Sequence, residues 1–176
     1  HPEVYWQVLA DCGAIKVLLP ELAVSQGISA LRRAAPHTDR NDCRWAALLA
    51  DLPEARAEKT SKRFKAPNTY TMLAARVSDG RGKVKTALND PSECMALLQV
   101  LDALRRAEPF EGFCETLLAL EQSTADAKSA IGLLRSARTV AQKVKAADFA
   151  DQGLTGPELG AAIRSAQIKR IAKLPD

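Results

Sequence analysis

Apolar residues recur along this chain at spacings of three and four between stretches of cap and turn chemistry, a pattern that predicts a succession of helices. A first helix runs from about Pro2 to Cys12, with Val4, Tyr5, Val8 and Leu9 on one side, and stops at Gly13. A second starts at Ala14 and stops near Pro20, and from Ser25 to Pro36 the pattern weakens. Thr38 and Asp39 then cap a helix whose apolar face is Trp45, Leu48, Leu49 and Leu52, closed by Pro53. Residues 54 to 67 are basic and partly helical in pattern. Pro67-Asn68 opens a helix carrying Met72, Leu73 and Val77, and Ser78 to Lys83 reads as a basic loop.

The best start signal is Asp90-Pro91-Ser92-Glu93. Asp90 can accept from free first-turn amides, Pro91 stands where its missing N–H is harmless, and Glu93 can reach back. Cys94, Leu97, Leu98, Leu101 and Leu104 form the stripe of that helix, and another follows Pro109 with Phe113, Leu117, Leu118 and Leu120. A long helix from near Ser123 places Ile131, Leu134, Ala137, Val140 and Val144 on one face. Lys128, Arg135, Arg138, Gln142 and Lys145 follow a second face, so one face packs and the other meets solvent or phosphate. A short helix at Ala146 to Asp151, a stop at Gly153, a capping box at Thr155 to Glu158 and a helix with Leu159, Ile163, Ile171 and Leu174 end the chain. The expected fold is all-α, an irregular array of about eight to ten helices, with a body over residues 1–142 and a helical tail over 143–176.

Composition agrees, since 47% of the residues are apolar but only 5% aromatic, which favours helices over strands. No apolar run approaches the roughly 20 residues that cross a bilayer, so a soluble, cytoplasmic chain without membrane contact is expected. Cys12, Cys43, Cys94 and Cys114 form no C-x-x-C pair and read as buried apolar thiols. The net charge of +4 conceals a division: residues 56–85 carry +7 and 127–176 carry +5, while the rest is acidic. The basic blocks suit phosphate, and the candidate RNA contacts are Lys62, Arg63, Lys65, Lys83 and Lys85 with Arg135, Arg138 and Lys145.

Catalytic chemistry is hard to find in these residues. Gly80-Arg81-Gly82-Lys83 lacks the spacing of a phosphate loop, and no Ser, Cys or Lys nucleophile has a recognisable base. His1 and His37 cannot rebuild a multi-His metal site, and His37, Asp39 and Asp42 read as a helix-start cluster. No metal site, catalytic residue or resident cofactor is expected in this chain.

Several stretches resemble one family in order along the chain. His1 to Leu22, with its Asp11-Cys12-Gly13-Ala14 turn and closing Pro20-Glu21, is similar to the neck-to-body junction of bacterial class II CCA-adding tRNA nucleotidyltransferases. Arg63 to Asn68 resembles the entry to a body helix, Asp90-Pro91 to Arg106 resembles a further one, and Gly153 to Arg164 resembles the Gly-x-x-Gly-x-Glu turn and helix that close these enzymes.

Relatives have a His-Asp pair, part of a metal phosphohydrolase site, where this chain reads Ala50-Asp51; residues 37–67 are thus a degenerate His-Asp-type region, shortened between Asp51 and Pro67. The resemblance implies a catalytic head and neck upstream that use Mg²⁺ with ATP or CTP to add C, C and A to tRNA 3′ ends. It implies that this chain holds the tRNA acceptor arm. Poly(A) polymerases share that head and neck and are the weaker relative. The rival from another class is a noncatalytic helical interaction or dimerisation module, a homodimer among its forms, with merely solvated basic faces.

Overall fold

The computed structural model describes residues 1–22 and 24–174, with side chains for all of these but 24 and 25. The last two residues of the expected tail lie outside the described residues. Eleven α-helices are present among them: α1 (Pro2–Asp11), α2 (Ala14–Leu18), α3 (Val24–Ala34), α4 (Asn41–Leu49), α5 (Glu54–Arg63), α6 (Asn68–Gly80), α7 (Val84–Asn89), α8 (Pro91–Val100), α9 (Ala107–Leu120), α10 (Ala125–Gln142) and α11 (Gly156–Ile171). Short 3₁₀ turns occupy Ala35–His37, Arg81–Lys83 and Ala146–Gln152. The all-α expectation holds, with α3 and α7 beyond the elements that the pattern predicts.

Both differences have a local cause. The buried side of α3 is Gly27, Ile28, Ala30, Leu31 and Ala34, so small residues thin the apolar stripe. The glycines of Gly80 to Lys83 suggested a loop, but this stretch continues as a helix end and a 3₁₀ turn into α7.

The core is built around α9. Phe110, Phe113, Cys114, Leu117 and Leu120 are buried on it, and it packs against α3, α4, α6 and α10. Gly80 lets α6 approach closely, because a Cβ there would stand 2.8 Å from the Phe113 ring. The α11 helix folds back over α10 and α8: Ile171 joins the main buried cluster, Gln167 Nε2 donates to the Ala141 carbonyl at 3.4 Å, and Arg164 donates to Gln99 Oε1 at 2.7 Å.

Cap chemistry is correct at one predicted place and wrong at two. Asp90 Oδ1 accepts from the Ser92 and Glu93 amides at 2.7 and 3.4 Å, with Pro91 in the first turn, but Glu93 does not reach back, since the Asp90 amide donates to the Thr86 carbonyl at 3.0 Å. Thr155 precedes α11 but its hydroxyl caps nothing. Nor do Thr38 and Asp39 cap α4, whose N-cap residue is Arg40; the Thr38 hydroxyl instead accepts from the Arg40 amide and donates to Glu115.

Burial corrects three further expectations. On α1, Trp6, Leu9 and Ala10 face the core while Val4, Tyr5 and Val8 are exposed, because Trp6 anchors the helix against Trp45, with ring centroids 6.5 Å apart. Cys12 is exposed, unlike the other three cysteines. Leu101 and Leu104 lie past the end of α8, where Leu101 is fully buried and Leu104 half-buried.

Candidate nucleic-acid interface

The first basic block is set on helix ends. Lys62 and Arg63 close α5, where cations meet the free carbonyls of a last turn. Lys65 follows in the left-handed region (φ 52°), and the Ala66 amide bonds back to the Ser61 carbonyl at 2.9 Å. Most of this block is already engaged. Lys62 pairs with Glu58, Arg63 donates to Glu21 at 2.9 Å and lies over the Phe64 ring, and Lys83 holds both Asp79 oxygens at 2.6 and 2.7 Å. Lys65 and Lys85 are exposed, with no ion pair among the described residues.

The second block differs from its sequence reading. Arg138 is not a free phosphate contact: its Nε donates to the Ala103 carbonyl at 2.6 Å and its guanidinium lies 5.4 Å from the Phe110 ring centroid. Gln142 Nε2 donates to the Leu104 carbonyl at 3.0 Å. These two side chains tie α10 to the connection between α8 and α9, so part of the polar face packs against protein. Arg135 makes two hydrogen bonds to one Glu111 oxygen at 2.6 and 3.0 Å, and this hydrogen bonding raises its pKa against the opposing effect of burial. Lys145 lies past the end of α10 and stays exposed.

The two blocks are therefore not one continuous comb of free cations. Lys85 shares a groove with Ala127, Ala130 and Ile131 of α10, whereas Arg63 reaches toward the segment after α2. Exposed Lys169 and Arg170 in the last turn of α11 went unmarked in the sequence, although cations in a final helical turn are a readable signal.

Over residues 37–67, expected from the resemblance to be a degenerate His-Asp-type region, the carboxylates Asp39, Asp42 and Asp51 each meet an arginine. Asp51 follows α4, and its Oδ1 accepts from Arg81 at 2.6 Å, beside a hollow lined by Gln26, Ser29 and Arg33. His37 is exposed, Asp39 pairs with Arg44, and Asp42 is held by Arg40. Burial pushes the Asp42 carboxyl up, but the Arg40 hydrogen bond and charge and the Cys43 amide outweigh it and leave it below the ordinary value. With each carboxylate committed to an arginine, no three His, Cys, Asp or Glu side chains stand together as metal donors among the described residues. These residues do not fit a Mg²⁺–nucleotide complex.

The buried thiols are equally unsuited to nucleophilic work. Desolvation raises the pKa of Cys43 and Cys94 to about 11 and that of Cys114 to about 12, so they stay protonated at neutral pH.

No protein-family model matches the chain, and no solved structure does. Curated relatives do. A CCA-adding enzyme of Pseudomonas putida is 35% identical over 173 residues, covering 97% of this chain and 47% of the relative. A multifunctional CCA protein of the same species is 34% identical over 176 residues with the same two shares. A multifunctional CCA protein of Pseudomonas fluorescens is 33% identical over 218 residues, covering 97% and 52%, so it carries insertions that this chain lacks. The chain spans about half the length of the curated relatives it matches. Over almost its whole length the chain is homologous to bacterial CCA-adding enzymes, and the match is consistent with the C-terminal part of such an enzyme.

Proposed function

We propose that this chain is the tRNA-holding body (1–142) and tail (143–176) of a cytoplasmic CCA-adding enzyme, noncatalytic alone, with nucleotide addition performed by a head outside these residues. The observation that carries the proposal is the relationship to CCA proteins over 97% of the chain but only about half of theirs. Mg²⁺ and ATP or CTP belong, on this reading, to the head. The physics of the surface supports an RNA partner: duplex RNA is held mainly through shape, phosphate and 2′-hydroxyl contacts, which call for cations on a rigid helical frame. Lys65, Lys85 and Lys145 are such cations, and the acceptor arm is the duplex they would hold.

The test is binding of a tRNA lacking its CCA end to the purified chain across a salt series. Affinity is expected to fall steeply with salt. Substituting Lys65, Lys85 and Lys145 by Ala together should lower the slope by roughly 0.7 to 0.9 for each phosphate no longer neutralised. Binding indifferent to salt, or an unchanged slope in the triple variant, refutes the reading.

One observation favours a second reading as an interaction or homodimer module: Val4, Tyr5 and Val8 on α1 and Val17 on α2 are exposed apolar side chains. That reading predicts a mass that rises with concentration in sedimentation and returns to monomer in Val8→Glu.

A further inference from the structure

Arg76 is an anomaly in this structure. Thr69, Met72, Leu73 and Arg76 lie three, one and three residues apart, so α6 presents them on one face, and that face forms a wall of a 380 Å³ cleft closed by the start of α9. A guanidinium has five N–H donors and keeps its charge at any relevant pH. Yet Arg76 is partly buried and makes neither a hydrogen bond nor an ion pair among the described residues. Burial lowers its pKa; Asp102 opposes this and the like charge of Arg106 adds to it.

The other cations of the cleft are differently placed. Arg40 is already satisfied by Asp42 and Glu115. Arg106, the residue before α9, holds Asp102 at only 3.5 Å, and its side chain is 61% exposed, free to swing to a new acceptor. Two guanidinium groups with spare donors thus share one concave site with Asp42, already held by Arg40, and the exposed Glu108, beside an apolar wall that includes Met72 and Pro109.

A partly desolvated cation without an acceptor costs free energy that a bound anion offsets. Paired guanidinium forks match the several oxygens of a phosphate better than a single carboxylate, and the apolar wall suits the sugar that a phosphodiester carries with it. We infer that the cleft between α6 and α9 is a phosphate subsite in which Arg76 and Arg106 hold a backbone phosphate of RNA. This rests on the RNA-holding reading above and adds to its candidate contacts Arg76, which lies within the first basic block, and Arg106, which lies outside both.

The test uses Arg76→Met, which keeps an apolar stem without the charge, Arg76→Lys, and Lys16→Gln on exposed α2 as a control for loss of one charge. The probes are inorganic tripolyphosphate, read by melting temperature, and tRNA lacking its CCA end, read by affinity across a salt series. Arg76→Met should melt no lower than wild type without phosphate and lose the stabilisation by tripolyphosphate. Its tRNA affinity should drop about tenfold, as for one charge-assisted hydrogen bond, with a slope shallower by roughly 0.7 to 0.9. Arg76→Lys should keep the slope but lose part of the affinity, and Lys16→Gln should change neither.

If wild type binds tRNA and Arg76→Met matches it in affinity and slope, the subsite is refuted while the RNA-holding reading stands. If wild type does not bind tRNA but tripolyphosphate protects it through Arg76, the cleft holds phosphate of another source, and both the RNA assignment and the reading fall. Protection and binding both absent refute all three. Should Arg76→Met not fold, Arg106→Gln at its exposed position carries the same comparison.

Discussion

Arg138→Ala separates an arginine that holds the fold from one that merely sits on its surface. In the folded chain Arg138 donates a short, charge-assisted hydrogen bond to the Ala103 carbonyl and stacks over Phe110, and both of those residues are fully buried. Losing a hydrogen bond to a charged donor costs about 1.5–3 kcal/mol, and a cation–π interaction at a partly exposed site adds about 0.5–1 kcal/mol. Truncation also strips the aliphatic stem from that surface and leaves the carbonyl without its side-chain donor. The expected loss is about 2–4 kcal/mol, or about 5–15 °C in melting temperature for a chain of this size. Arg135→Ala removes only an exposed pair with Glu111 and should cost about 0–1 kcal/mol. The assay is urea and thermal unfolding of both single variants and Arg138→Lys, which should fall between. Equal stability of Arg138→Ala and Arg135→Ala would refute the assignment and return Arg138 to the free cations open to RNA.

Three more outcomes follow from packing and titration. Gly132→Ala on α10, where a Cβ meets nothing within 4 Å, should stabilise by about 0.5–1 kcal/mol; Gly27→Ala on α3 places a Cβ 2.6 Å from the Leu48 carbonyl oxygen and should destabilise by about 1–3 kcal/mol, as compared by urea midpoint. A thiol reagent at neutral pH should modify Cys12 at once and Cys43, Cys94 and Cys114 only on unfolding, since the latter are buried with raised pKa values; a second fast-reacting thiol by mass spectrometry would contradict their burial. The Asp42 pKa is lower folded than unfolded, so its pairing with Arg40 stabilises above the unfolded value and is lost as pH falls through the folded one; the melting gap between wild type and Asp42→Asn should therefore close below about pH 4 and stay constant above about pH 5.

How much of this was legible depends on where each residue's partner lies. The α8 start could be read because Asp90, Pro91 and the amides they serve are within four residues of each other. The α3 helix could not, since Gly27, Ala30 and Ala34 make a buried face that a hydrophobicity pattern registers weakly. The candidate interface fails in the same way at a longer range. Helical period correctly places Arg135, Arg138 and Gln142 on one face, but the groups that cover that face, Glu111, the Ala103 carbonyl and the Leu104 carbonyl, are 24 to 38 residues away along the chain.

The same distance undoes charge counting along the chain. The acidic stretch 86–126 reads as a separate block of −6, yet Glu111 neutralises Arg135 and Glu115 neutralises Arg40 once the helices pack. Charge summed in sequence therefore overstates the phosphate-binding surface at α10. Nor does it separate Arg76, which the +7 of residues 56–85 includes, from the paired cations of the same block, although Arg76 alone among them lines the cleft between α6 and α9. What marks a cation as available to an external anion is the absence of an acceptor within the fold. By that criterion Lys65, Lys85, Lys145 and Arg76 outrank Lys62, Arg63, Lys83, Arg135 and Arg138, and RNA contacts are to be sought first at those four.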